Sequence, residues 1–184
     1  NASGALEAYK QVVRLDGKAT PAGDAAGRLM KALGQTDDLM GFWQSRLDVA
    51  TDDSNRVSMM FRMAEIAEGN GDLAVARSWY EQALDNGAGA VTMATEDGLA
   101  RVLYAQGAWV ELAQLYRNKA ATTESPSGKA EALYRSATVG KHDPPDAEQA
   151  ISDLKAVLAI SPGHVGALGL ADVVLANDDN WETL

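Results

Sequence analysis

The sequence contains no cysteine. That absence excludes a disulfide framework, a thiolate metal site and a cysteine nucleophile, and it leaves the redox compartment open. Aromatic residues make up only 6% of the chain against 46% apolar residues, so a core must be assembled mainly from Ala, Leu, Val and Met, a composition that favours closely packed helices. No stretch reaches the roughly 20 uninterrupted apolar residues of a membrane span, because charges or glycines break every hydrophobic run. Cations are outnumbered, 16 Lys and Arg against 26 Asp and Glu, for a formal charge of -10. A phosphate backbone is therefore not the expected ligand, since nucleic-acid affinity rests on cations displacing counterions. The first residues, Asn1-Ala2-Ser3-Gly4, show no signal-peptide regions and run directly into the helical pattern of Ala5, Leu6, Tyr9 and Val12.

What is present is a repeat. In residues 56–85, Met60, Met63, Ala64 and Ala67 share one helical face, Gly69-Asn70-Gly71 interrupts, and Leu73, Ala76, Tyr80, Ala83 and Leu84 share another. This spacing predicts two amphipathic helices joined by a turn. The pattern recurs as Leu99-Ala100 and Leu103, then Gly107, then Leu112 and Tyr116. It recurs again as Leu133, Ser136 and Ala137, followed by Ala150, Leu154, Val157, Leu158 and the terminating Pro162. Between those last two helices Lys141-His142-Asp143-Pro144-Pro145 lengthens the turn, since neither proline can continue a helix.

These residues resemble the tetratricopeptide repeat (TPR), whose 34-residue unit has a large-then-small pair in its first helix, A, and an Ala, aromatic, Ala series in its second, B. Met63-Ala64 and Ala76, Tyr80, Ala83 carry the resemblance most fully; Leu112 departs from it by replacing a small residue. Aligned A-helix positions Leu29, Met63, Leu99, Ser136 and Leu170 follow one another at steps of 34, 36, 37 and 34 residues. The resemblance weakens before residue 55, where Phe42-Trp43 and Leu47 supply bulk without the usual Ala and aromatic spacing.

The resemblance implies an all-α, right-handed solenoid of stacked antiparallel helix pairs, a TPR-like superhelix forming a single domain over residues 1–184. Its approximate repeats are a half repeat at 3–19, units at 20–55, 56–90, 91–126 and 127–162, and a partial unit at 163–184, where Trp181 begins a further B helix. The half repeat keeps a B helix around Ala5 and Tyr9. Both ends are expected to be cut from a longer array. Small residues such as Ala64, Ala76, Ala100 and Ala150 are expected to let the helices approach closely.

A solenoid of this kind binds along a concave groove lined by A helices. By resemblance, the groove positions are Phe61, Glu65 and Glu68 in the third unit, and Asp97, Arg101 and Tyr104 in the fourth. Tyr134 and Thr138 follow in the fifth, and Lys31 is the corresponding residue in the second. Carboxylates with aromatics suit a protein or peptide partner that carries apolar anchors and basic residues. A clamp for a partner's terminal carboxylate is not expected, because Glu65, Glu68 and Asp97 occupy the places where some members of the family carry cations.

Chemistry is otherwise sparse, and the chain is expected not to be an enzyme, with no cofactor and no metal. His142 and His164 lie in turn-like sequence without a Ser or Asp in motif spacing, and both read as surface residues. Gly128-Lys129 lacks the remainder of a phosphate-binding loop. The acidic pairs Asp37-Asp38, Asp52-Asp53 and Asp178-Asp179 lack the continuation of a calcium loop and read as helix caps. Trp79 and Trp109 read as packing residues. The function implied is a scaffold or adaptor that binds a protein partner in its groove, without nucleic acid and without membrane insertion. The alternatives are a regulatory segment of a larger enzyme, sensor or transcription regulator, and a self-assembling array. The compartment is open between cytoplasm and periplasm.

Overall fold

The computed structural model describes residues 1–16, 20–87, 91–140, 142 and 147–178. They form ten α-helices and no strand: α1 (Ala2–Leu15), α2 (Thr20–Ala32), α3 (Thr36–Val49), α4 (Asp53–Asn70), α5 (Leu73–Asp85), α6 (Thr92–Gln106), α7 (Trp109–Thr122), α8 (Pro126–Val139), α9 (Ala147–Ile160) and α10 (Val165–Asp178). Apart from His142, the lengthened turn after α8 lies outside the described residues, as do Asp179 and Trp181. The chain divides into two compact units, one of residues 1–102 and one from residue 103 onward, with the boundary inside α6.

Local sequence sets the helix ends. Asp52 caps α4, its carboxylate accepting from the Asn55 amide at 2.8 Å, and Ser125 caps α8, accepting from Gly128 at 3.3 Å ahead of Pro126 in the first turn. Both place an acceptor on amides that no helical carbonyl reaches. Three helices of the A type, α2, α4 and α6, end in the same way, on Gly34, Gly71 and Gly107 with φ of 72°, 85° and 67°. In each, the amide after the glycine bonds five residues back: Gln35 to Met30, Asp72 to Ala67 and Ala108 to Leu103, all at 2.9 Å. This left-handed closure costs a side-chain-bearing residue energy that glycine avoids.

In unit 1, glycine on one helix admits a large side chain from the next. A Cβ on Gly27 would lie 2.4 Å from the Trp43 ring, and one on Gly23 would lie 2.2 Å from the Arg46 guanidinium carbon. The two facing pairs run in opposite order along α2 and α3, as an antiparallel pair requires. Leu39, Trp43 and Leu47 supply the buried face of α3, and Arg46, only 2% exposed, lies among them. Burial pulls the Arg46 pKa below its ordinary value, opposed by the charges of Asp24 and Asp16. Arg62 on α4 reaches back to Asp24 at 3.3 Å and lies over the Trp43 ring. Arg56 closes the end of α3 by donating to the Leu47 and Ala50 carbonyls at 3.1 and 3.3 Å. Met30, Val57, Met59, Met60 and Met63 fill the remaining core.

Two expectations shift in register here. On α1 the buried residue is Leu6, whereas Ala5 and Tyr9 are exposed, because α1 packs on α2 through the stripe that carries Leu6. On α6 the close approach falls to Gly98 rather than to Ala100, which is only half-buried. A Cβ on Gly98 would sit 2.4 Å from the fully buried Tyr80 ring of α5.

Unit 2 is built from smaller residues. Ala120, Ala130, Ala132, Ala137, Ala150, Ala167 and Ala171 form most of its buried cluster, with Leu133, Leu154 and Val157. Ser136 stands in the large position of the A helix because a carboxylate from α9 meets it there. Its hydroxyl donates to Asp153 at 2.6 Å, and Asp153 is 4% exposed. Arg117 of α7 donates to the Ser136 hydroxyl at 3.1 Å and lies 3.5 Å from Asp153, while Gln149 donates to the other carboxylate oxygen at 3.1 Å. A cavity of about 20 Å³ adjoins this network, room for one water.

Replacing Gly98 by Ala is expected to lower stability by about 1–3 kcal/mol, because the buried Tyr80 ring has nowhere to move. Gly169, with open space around its Cβ position, serves as the control. Gly169→Ala is expected to raise stability by about 0.5–1 kcal/mol through helix propensity alone. Asp153→Ala strands Arg117 and Ser136 and is expected to cost about 3 kcal/mol. Urea denaturation followed by circular dichroism measures all three.

Candidate binding surface

The expected groove residues of unit 1 lie on α2, α4 and α6, and the structure brings those of α4 and α6 together. Glu68 near the end of α4 and Arg101 on α6, 33 residues apart, form a bidentate pair: Arg101 Nε donates to Oε1 at 2.9 Å and Nη2 to Oε2 at 3.0 Å. The buried Tyr80 of α5 donates its hydroxyl to the same Oε2 at 2.7 Å. Phe61, half-buried on α4, packs on the Tyr80 ring at 6.0 Å between centroids. Glu65 and Asp97 are exposed beside this cluster, and Lys31 is exposed in the last turn of α2.

This geometry sets the electrostatics. The hydrogen bonds from Arg101, ahead of the one from Tyr80, hold the Glu68 carboxyl below its ordinary pKa against a smaller opposing effect of burial. Burial first, then the bond to Glu68, pushes the Tyr80 phenol up, and the bond to Glu68 raises Arg101. Glu68 is thus a satisfied, ionised acceptor. The face around it keeps two further carboxylates, an exposed guanidinium edge and a half-exposed phenyl ring.

In unit 2 the expected residues have different surroundings. Tyr104 is 60% exposed, and its ring meets Trp109 edge-on at 5.2 Å. Trp109 in turn stacks on His142 at 4.1 Å with 15° between planes, so both are half-buried members of one aromatic ladder. Tyr134, half-buried on α8, lies 4.9 Å from His164 and fills the space a side chain at Gly166 would need. Thr138 spends its hydroxyl on the Tyr134 carbonyl at 2.8 Å. The two histidines are not plain surface residues: His142 carries a ring stack, and the Nδ1 atom of His164 accepts from Ala167 at 3.0 Å to cap α10.

Other residues described above went unpredicted. Arg46 follows Leu39 and Trp43 at helical spacing, on the same buried face of α3. The Ser136–Asp153 pair left no local signal, since its partners lie 17 residues apart on different helices. Among the acidic pairs, Asp52 is a cap, whereas Asp178 ends α10 and the side chain of Asp37 lies outside the described residues.

No protein-family model and no curated protein sequence matches the chain. Solved structures do. A TPR-repeat protein of Bacteroides fragilis aligns with a TM-score of 0.64 at 13% identity, over 96% of this chain and 91% of that one. The fold is that of the TPR proteins. A Podosopora anserina protein described as a kinesin light chain with nearly identical TPR-like repeats aligns at 0.57 with 19% identity over 86% of each chain. YrrB, described as a TPR protein with an unusual peptide-binding site, aligns at 0.55 with 18% identity over 93% of this chain and 84% of its own. Each of these likenesses is one of TPR fold at low sequence identity.

Replacing Glu68 by Gln is expected to destabilise unit 1 by about 1 kcal/mol at pH 7, because Arg101 is largely exposed and screened. The lowered Glu68 pKa fixes the pH dependence. The stabilisation is complete above the ordinary value of 4.5 and disappears as pH falls through the lowered one. Parent and variant are therefore expected to converge in thermal stability in acid, which melting curves at neutral pH and well below 4.5 would reveal.

Proposed function

We propose that this chain is a protein-binding module without catalytic activity, and that it receives a peptide or protein partner along its A-type helices. In this reading α1 is the B helix of a first repeat, α2–α3, α4–α5, α6–α7 and α8–α9 are four full repeats, and α10 opens another. The observation that carries the proposal is the Glu68–Arg101 pair, which joins expected groove positions of successive A helices. Around it, Phe61 offers an apolar contact and Glu65 and Asp97 offer charge. A segment with a large apolar side chain beside Lys or Arg complements this face, and the pairing with Arg101 already offsets the charge of Glu68. Lys31, Tyr104, Tyr134 and Thr138 belong to the same proposal as further positions on A-type helices. The described peptide-binding site of YrrB supports the general class, and the excess of carboxylates argues against nucleic acid as the partner. No described helix is long and apolar enough to cross a membrane.

The test is affinity capture from a lysate of the source organism, with the parent chain beside a Glu65→Lys, Asp97→Lys double variant. Both substitutions are on exposed positions, and circular dichroism of each chain checks that the fold is retained. A protein held by the parent and weakened about tenfold or more by the variant is the expected result. Equal recovery by both chains removes the α4–α6 face from the proposal, and no recovery at all favours the reading of a regulatory segment that contacts its own chain.

A further inference from the structure

A second concavity in unit 1 has the opposite electrostatic character. Helix α1 packs on α2 and α2 on α3, and between α1 and α3 lies an open cleft of about 390 Å³, within the size range of ligand sites. Met30, fully buried, lines it from α2, with Val13 from α1 and Phe42 from α3 adding apolar surface. Its residues come from two helical stripes, Lys10, Val13 and Arg14 on α1 and Asp38, Gly41, Phe42 and Ser45 on α3. The stripe from Asp38 to Ser45 extends about 10 Å at the helical rise. An extended peptide covers that distance in about three residues.

The charges select the occupant. Lys10 and Arg14 stand one turn apart, while Asp38 is the one carboxylate among the lining residues, so the lining carries one more cation than carboxylate in a chain of net charge -10. Their contacts on α1 are weak: Lys10 lies 3.8 Å from Glu7, and Arg14 reaches Gln11 at 3.5 Å. Ser45 spends its hydroxyl on the Phe42 carbonyl. Gly41 leaves the α3 wall bare, with nothing within 4 Å of its Cβ position.

We infer that this cleft is a second peptide site, which takes an extended acidic segment with one large apolar side chain seated against Val13 and Phe42 and carboxylates beside Lys10 and Arg14. It is independent of the α4–α6 face, whose carboxylates select the opposite charge. Gly41 is the position at which this site can be blocked without touching the core, because a side chain there enters the cleft and improves the helix.

The experiment is fluorescence anisotropy of the full chain with a fluorescein-labelled peptide holding an Asp-Phe-Asp core between glycines, compared with Lys-Phe-Lys and Asp-Ala-Asp versions. The expected result is saturable binding of the first, weakened about tenfold or more by either peptide change. Lys10→Glu with Arg14→Glu, and separately Gly41→Leu, are each expected to abolish it, while Glu65→Lys with Asp97→Lys leaves it unchanged. Circular dichroism verifies the folding of each variant. Absence of binding, equal or tighter binding of the Lys-Phe-Lys peptide, or binding indifferent to both cleft variants overturns the inference.

Discussion

Close approach of helices across bare backbone is the constraint on which this molecule depends. A helix pair has two apolar sides and can bury only one of them internally, so each pair needs its neighbours. Contact at short range requires a residue without a side chain wherever a bulky one arrives. Gly27 receives Trp43, Gly23 receives Arg46 and Gly98 receives Tyr80. The Tyr80 placement then determines the α4–α6 surface, because a ring locked under Gly98 presents its hydroxyl to Glu68. Glu68 in turn orients Arg101. Core packing and surface chemistry thus share one element.

Much of this fold is written in the sequence at short range. Gly71 and Gly107 announce helix ends because the left-handed conformation is a local property, and Met63, Ala64, Ala76, Tyr80 and Ala83 are all buried at the spacing that marks them. Legibility fails where a residue's fate is decided by a distant partner. Ala100 satisfies the small-residue pattern, yet Gly98, two residues earlier, is the one facing Tyr80. Ser136 looks like a degraded apolar position until Asp153 is placed beside it.

The expected groove residues were legible as positions rather than as interactions. The resemblance implied Glu68 and Arg101 separately, as groove positions on different repeats. Only the three-dimensional register turns them into one bidentate pair. The reverse holds for the α1–α3 cleft. Its residues have no motif, because a hollow between helices depends on side chains that are missing, as at Gly41, as much as on those that are present.

The alanine-built interior of unit 2 has a consequence for how such a chain drifts over generations. In a core of large residues the common injury is a void, and neighbours relax partly into it. Where Ala132, Ala137, Ala150, Ala167 and Ala171 meet, little volume remains to lose, and any larger residue forces whole helices apart. Variation at these sites is bounded from above rather than from below. Substitution is therefore expected to be tolerated on the outward faces, while the spacing between helices is held nearly constant.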